Sequence, residues 1–270
     1  MKFKNYKSMK SFFLLIIYLL VNTYAFADVV IINGLTQEFR GIAGNTLSGT
    51  IKMKNEATVP EKMLIYKEEL ILKCGQESTF SVNKPHAKSM TAWLKTNVNE
   101  KIMEGKEEYD ISFDFTIPAG TKPGSYYTVL MVESNDQIPT VESKSKMMIN
   151  TRVRYGITIL VHVGTYESPV LNFETVSVQK LSDNKQAIKI LLKNIGTYSA
   201  TIKLAVEIYL NGEKIKTFID QDGQIGRVYP DQCRRFETII SDLPKGKYDG
   251  IVVADNGADL FGSNITLLIE

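Results

Sequence analysis

The feature that most constrains this chain is its alternation of apolar and polar residues with a period of two, in short runs cut by Gly, Pro, Asn, Asp and Lys clusters. Such a run puts successive side chains on opposite faces of an extended strand, so one face can be buried while the other stays wet. The runs fall at 29–32, 47–53, 63–72, 90–95, 109–117, 126–132, 147–163, 171–178, 187–192, 200–210, 214–219, 235–240, 249–254 and 264–269. No stretch keeps a helical period. Short strands with a turn signal about every ten residues predict antiparallel sandwiches rather than strand–helix–strand units. Asn211-Gly212, between two alternating runs, predicts a tight hairpin, because a type I′ turn needs positive φ at both central residues.

The first 27 residues read as an export label and stand apart from this pattern. Lys2, Lys4, Lys7 and Lys10 precede an apolar run at 12–21, and the segment closes on Ala25-Phe26-Ala27, the small-x-small pattern of a signal-peptidase site. The run is shorter than the roughly 20 residues a membrane span takes. The expected mature chain begins at Asp28 outside the cytoplasm, periplasmic or at the cell surface, with no stable membrane anchor. Taking 27 residues from 270 leaves 243, enough for two sandwiches, expected at 28–163 and 164–270. The formal charge of +2, less the label's four lysines, is −2. A near-neutral balance gives no electrostatic case for nucleic acid or an anionic membrane.

A weak repeat supports the division. Phe113, Pro118, Pro123-Gly124 and Tyr126 in the first half are echoed by Phe236, Pro244, Gly246 and Tyr248 in the second. Each half reads strand, Pro/Gly corner, tyrosine, apolar strand, and immunoglobulin-type sandwiches carry a tyrosine at such a corner. The polar stretches 75–89, 97–108 and 133–146 are expected to be mobile loops.

Chemistry-bearing residues are sparse. His86 lies in a loop stretch, and His162 sits in an alternating run where a half-buried structural role is expected. No His, Cys, Asp or Glu pair shows metal spacing, and neither a phosphate loop nor a G-x-S-x-G elbow is present. Asp220-Gln221-Asp222-Gly223 lacks the downstream glutamate of a calcium loop and reads as a solvated turn. Trp93 is expected to pack in the first core. The expectation is a protein without enzymatic activity, metal or cofactor. Cys74 and Cys233 are left open: an exported chain favours pairing, yet both sit in polar stretches that nothing in the sequence brings together.

The run at 147–163 is unusually long, since strands commonly hold about five or six residues. Met148, Asn150, Arg152 and Arg154 share one face; Met147, Ile149, Thr151, Val153 and Tyr155 share the other. One face is apolar and the other carries two guanidiniums. Arginines there could guard an edge against aggregation or recognise a ligand.

A resemblance attaches to these residues. Two exported sandwiches, the first closed by a loop and a long alternating strand with Arg152 and Arg154, look like the PapD-like periplasmic chaperones of pilus assembly. Gly34-Leu35-Thr36, Gly49-Thr50-Ile51-Lys52-Met53-Lys54-Asn55, Gly124-Ser125-Tyr126 and Arg152-Val153-Arg154-Tyr155-Gly156 are also similar to bacterial WxL-interacting proteins. The chaperones' Tyr-Arg-Pro step is replaced here by Tyr155-Gly156-Ile157.

The expected fold is therefore all-β, two tandem immunoglobulin-like antiparallel sandwiches. The expected function is a chaperone-like protein-binding module that assists assembly of a surface structure. Met147, Ile149, Thr151, Val153 and Tyr155 would pair with a client strand, with Arg152 or Arg154 anchoring a carboxylate. Its partners would be other exported or surface proteins. The alternative is a WxL-interacting-like adhesive module that binds the cell wall, with peptidoglycan as ligand.

Overall fold

The computed structural model describes residues 29–74, 76, 78–134, 152–182, 185–219 and 226–269. Every regular element among them is a strand. In the first half these are β1 (Val29–Ile31), β2 (Thr36–Gly41), β3 (Thr46–Asn55), β4 (Glu61–Ile71), β5 (Thr79–Ser81), β6 (Leu94–Thr96), β7 (Glu100–Met103), β8 (Glu108–Thr116), β9 (Gly124–Ser134) and β10 (Arg154–Val163). One sheet has the order β1-β3-β8-β6; the other runs β2-β10-β9-β4-β5, with β7 also on β4. Alternation decides which side chains meet between them. Ile111, Phe113 and Phe115 of β8 are buried while Ser112, Asp114 and Thr116 are exposed. Their core partners include Ile51 and Met53 from the same sheet, and Met63, Ile65, Leu130, Val132, Ile157 and Ile159 from the facing one.

The second half holds β11 (Leu171–Ser182), β12 (Lys185–Asn194), β13 (Ala200–Leu210), β14 (Glu213–Ile219), β15 (Gly226–Val228), β16 (Cys233–Ser241), β17 (Gly246–Asp255) and β18 (Leu260–Ile269). The sheets β11-β12-β16 and β14-β13-β17-β18 enclose a separate core that includes Ile188, Ile190, Leu192, Ile202, Leu204, Val206, Phe236 and Val252. The chain is thus all-β, built as two sandwiches. The hairpin between β13 and β14 has φ of 52° at Asn211 and 85° at Gly212, the left-handed values its sequence requires. The tyrosine corner occurs in both halves: Tyr126 donates to the Lys122 carbonyl at 3.0 Å and Tyr248 to the Pro244 carbonyl at 2.8 Å.

The structure corrects the strand inventory. β2, β5, β7 and β15 fall in no predicted run, and β5 and β7 lie inside stretches expected to be loops. Each is short or weakly alternating and is held by its neighbour: Leu70 faces Phe80, Met63 faces Lys101, and Ala200 faces Val228. Residues 90–93 form a turn closed by the Trp93 N–H on the Met90 carbonyl at 2.9 Å, with β6 beginning only at Leu94. Trp93 packs against the first core, 5.0 Å from the Tyr126 ring.

Contacts between the sandwiches are dense. Cys74 and Cys233 are joined, with a Cα separation of 4.7 Å, which settles the pairing the sequence left open. Tyr229 of the second sandwich inserts among Leu70, Tyr127, Val129, Met131 and Leu160 on the outer face of the six-stranded sheet, its ring 4.2 Å from that of Tyr127. β9 is consequently buried on both faces, which is why its sequence is a continuous apolar run rather than an alternating one. Tyr198 donates its hydroxyl to the Val163 and Thr165 carbonyls at 2.8 and 2.6 Å. His162 is buried at 2% exposure, with Nδ1 2.7 Å from Ser125 Oγ and Nε2 2.7 Å from Glu38 Oε1. Arg227 of β15 donates to Glu38 Oε2 at 2.8 Å, so this network crosses the junction.

Candidate functional site

The geometry of the predicted binding strand follows from how the first strand is split. β1 pairs with β3 in one sheet, whereas β2 pairs with β10 in the other. The connecting residues 32–35 cross between the sheets. β2 therefore reaches β10 only at Thr158, and their parallel pairing runs from Thr158↔Thr36 to Val163↔Gly41. On its opposite side β10 pairs with β9 along its whole length, from Arg154↔Glu133 to Val163↔Gly124. Among the described residues, no strand pairs with the outer edge of residues 154–157.

Backbone direction along this edge can be read from two hydrogen bonds. The Thr158 N–H donates outward to the Leu35 carbonyl at 2.9 Å, and the Val153 carbonyl accepts inward from the Ser134 N–H at 3.0 Å. Strand alternation then turns the N–H and C=O of Arg154 and Gly156 to the open side. A sheet edge with such groups unpaired is a template for another strand.

The side chains divide as the sequence predicts. Tyr155 and Ile157 lie on the core side, and Tyr155 donates its hydroxyl to the Val29 carbonyl at 2.9 Å, tying β1 to the strand it does not pair with. Arg154 lies on the other face. Its guanidinium is paired with Glu68 and stands 5.9 Å from the Tyr66 ring and 5.6 Å from the Phe80 ring. Arg152 is more open, with its Nη1 3.8 Å from Glu133 Oε1. Tyr66 also donates to Glu133; burial, with the carboxylate second, pushes its hydroxyl up to about 12. The cationic face is thus a ring of Arg152, Arg154, Glu68, Glu133, Tyr66 and Phe80. Met147, Ile149 and Thr151 lie outside the described residues.

The acidic partners were not legible in the sequence. Glu68 is 86 residues from Arg154, and it arrives because β4 and β10 flank β9. Nor does the sequence show that the edge opens only upstream of Thr158, since that depends on where the first strand changes sheets.

Comparison with protein-family models and with curated proteins finds no match. Among solved structures the chain is similar to the class 5 fimbriae chaperone CfaA, at 11% identity and a TM-score of 0.47, covering 90% of this chain and 99% of that one. It is also similar to a chain of the CsuC-CsuE chaperone–tip adhesion subunit pre-assembly complex of Acinetobacter baumannii, at 13% identity and a TM-score of 0.46, covering 88% and 98%. A third is a chain of the Salmonella enterica SafA pilin–SafB chaperone complex, at 10% identity and a TM-score of 0.44, covering 91% and 98%. Fimbrial chaperones, the kind of protein the sequence resembles, are therefore among the structures to which this chain is similar.

Proposed function

We propose that this chain is an exported, non-enzymatic binding module that receives a client strand along the open edge of β10, chaperone-like, during assembly of a surface structure. One observation carries the reading: β10 is paired throughout on its β9 side but only from Thr158 onward on the other. A client strand laid beside residues 154–157, and beside the 147–153 stretch before them, would take the outward N–H and C=O groups of Arg154 and Gly156. Client side chains on the core side would meet Tyr155; those on the other would meet the arginine face. Glu68 already holds Arg154, so Arg152, at 56% side-chain exposure, is the guanidinium open to a client carboxylate. The reading keeps 28–163 and 164–270 as the two units. The Cys74–Cys233 bridge fits an oxidising compartment outside the cytoplasm.

A paired substitution at Gly156 tests the reading. Gly156→Pro deletes the outward N–H and leaves the neighbouring inward bonds to β9 in place; Gly156→Ala keeps the N–H and adds the same Cβ, whose nearest neighbours are the Val129 and Met131 side chains, at 3.3 Å and beyond. Exported proteins encoded beside this one are co-expressed with each variant and recovered by pull-down. The expected outcome is client loss with proline and retention with alanine. Equal recovery of client by both variants sinks the proposal. Arg152→Glu in the same assay should weaken recovery of any client that presents a carboxylate.

A further inference from the structure

The two ends of the Cys74–Cys233 bridge are held differently. Cys233 opens β16, where it faces Lys193 in the ladder, and the chain before it is fixed by the Asp231 N–H on the Asn194 carbonyl at 2.9 Å and the Gln232 N–H on the Tyr229 carbonyl at 3.1 Å. Cys74 lies beyond the end of β4, in a turn marked by the Gln76 N–H on the Lys73 carbonyl at 3.0 Å. Cys74 is exposed and Cys233 is half-buried. Cys233 also lines a cavity of about 520 Å³ between the sandwiches, whose wall carries Arg227, Arg234 and Arg235 together with Gln76, Ser78 and Gln232.

We propose that this bridge is a thiol-exchange site, with Cys74 Sγ as the sulfur attacked and Cys233 as the leaving thiolate. A thiolate attacks a disulfide along the sulfur–sulfur axis, from the side away from the leaving sulfur, so the exposed partner is the one it reaches. Exchange is faster when the departing thiol has a low pKa, and nearby guanidiniums lower it. In the first step the thiolate's electron pair forms a new S–S bond to Cys74, the Cys74–Cys233 bond breaks, and its pair leaves on Cys233. A second thiolate then attacks the sulfur of the first, releasing Cys74 as a thiolate that takes up a proton. The bridge gains two electrons, and the two incoming thiols become a disulfide. The substrate class is a thiolate, supplied by a small thiol or by a Cys-X-X-Cys protein. Opening the bridge frees the turn at Cys74 from β16 and leaves the junction to Tyr229 and the Glu38 network. The exchange site rests on the bridge and its cavity and does not depend on the client edge.

The test uses the folded mature protein. It is exposed in one arm to reduced glutathione and in the other to a Cys-X-X-Ser trapping variant of a dithiol oxidoreductase, then acid-quenched and peptide-mapped. Capture on Cys74 with Cys233 free, in either arm, is the expected result, and the arm that captures faster identifies the source. Capture on Cys233, or reaction in neither arm until denaturant is added, overturns the proposal. A Cys74→Ser variant isolates the second claim through the pH dependence of Cys233 alkylation. The thiol should titrate below its ordinary value of about 8.5; titration at or above that value removes the leaving-thiolate assignment.

Discussion

His162 shows how single residues hold the junction. Glu38 is held as a carboxylate and can only accept, so the imidazole N–H lies on Nε2, and Nδ1 accepts from the Ser125 hydroxyl, which itself accepts from the Ser199 N–H at 2.8 Å. Burial lowers the pKa of His162, and the opposing pull of Glu38 does not restore it. Burial would raise Glu38, but Arg227 and His162 outweigh it and hold that carboxyl low. The signs agree. The unfolded chain binds a proton on His162 at a higher pH than the folded one, so stability is full above about 6.5 and falls as acid is added. His86, also lowered by burial, contributes in the same sense. Glu38 adds a loss only below the ordinary carboxylate range. The melting temperature should therefore drop between pH 7 and pH 5, and His162→Gln should flatten part of that drop; an identical profile in the variant would exclude the assignment. Gly124 is the complementary case. It has φ of 141°, and an added Cβ would lie 2.8 Å from the Thr197 carbonyl of the other sandwich. The sequence places His162 in an alternating strand, as found, but half-buried, whereas the structure buries it. It could not show Glu38, 124 positions away, because that contact exists only once β2 lies beside β10.

At the scale of elements, the tyrosine corners allow a matched comparison. Tyr126 and Tyr248 each donate to a carbonyl four residues earlier, one in each sandwich. Replacing either by Phe removes one hydrogen bond and little else, a cost of about 1 kcal/mol. Urea unfolding should show a comparable loss for both variants; a loss confined to one would mean that the corners are not equivalent. The corners were legible because proline, glycine and tyrosine recur locally. The strands β2, β5, β7 and β15 were not, because three to six residues give too little periodicity to stand out from a loop, and their order comes from pairing with a longer neighbour, which for β2 lies more than a hundred positions away. The same limit applies to the binding edge. Its alternation and its two faces were readable at Arg152, Arg154 and Tyr155. Its openness depends on β1 and β2 belonging to different sheets.

Across the whole molecule, the couplings between the two cores include the disulfide, the inserted Tyr229, the His162–Glu38–Arg227 network and the hydrogen bonds that Tyr198 and Ser199 make to the first sandwich. The bridge spans a sequence separation of 159 residues, for which chain-entropy arguments give a ceiling of about 5 kcal/mol. Each sandwich has its own core, so much of that effect should fall on docking rather than on folding of either half. Cys74→Ser combined with Tyr229→Ala should therefore separate one unfolding transition into two, with strand content by circular dichroism unchanged at 25 °C. A single transition at the original midpoint would show that the junction is held elsewhere. The sequence by itself determined the strand chemistry, the all-β class, the two-sandwich organisation, the hairpin at Asn211-Gly212 and the two-faced run that ends in β10, since each is written in residues close together in the chain. Only the tertiary structure decided that Cys74 meets Cys233, that Glu68 holds Arg154, that Tyr229 enters the other sandwich, and that β10 is left open upstream of Thr158. Those contacts join residues tens to more than a hundred positions apart, and a linear pattern carries no record of which distant strand becomes a neighbour.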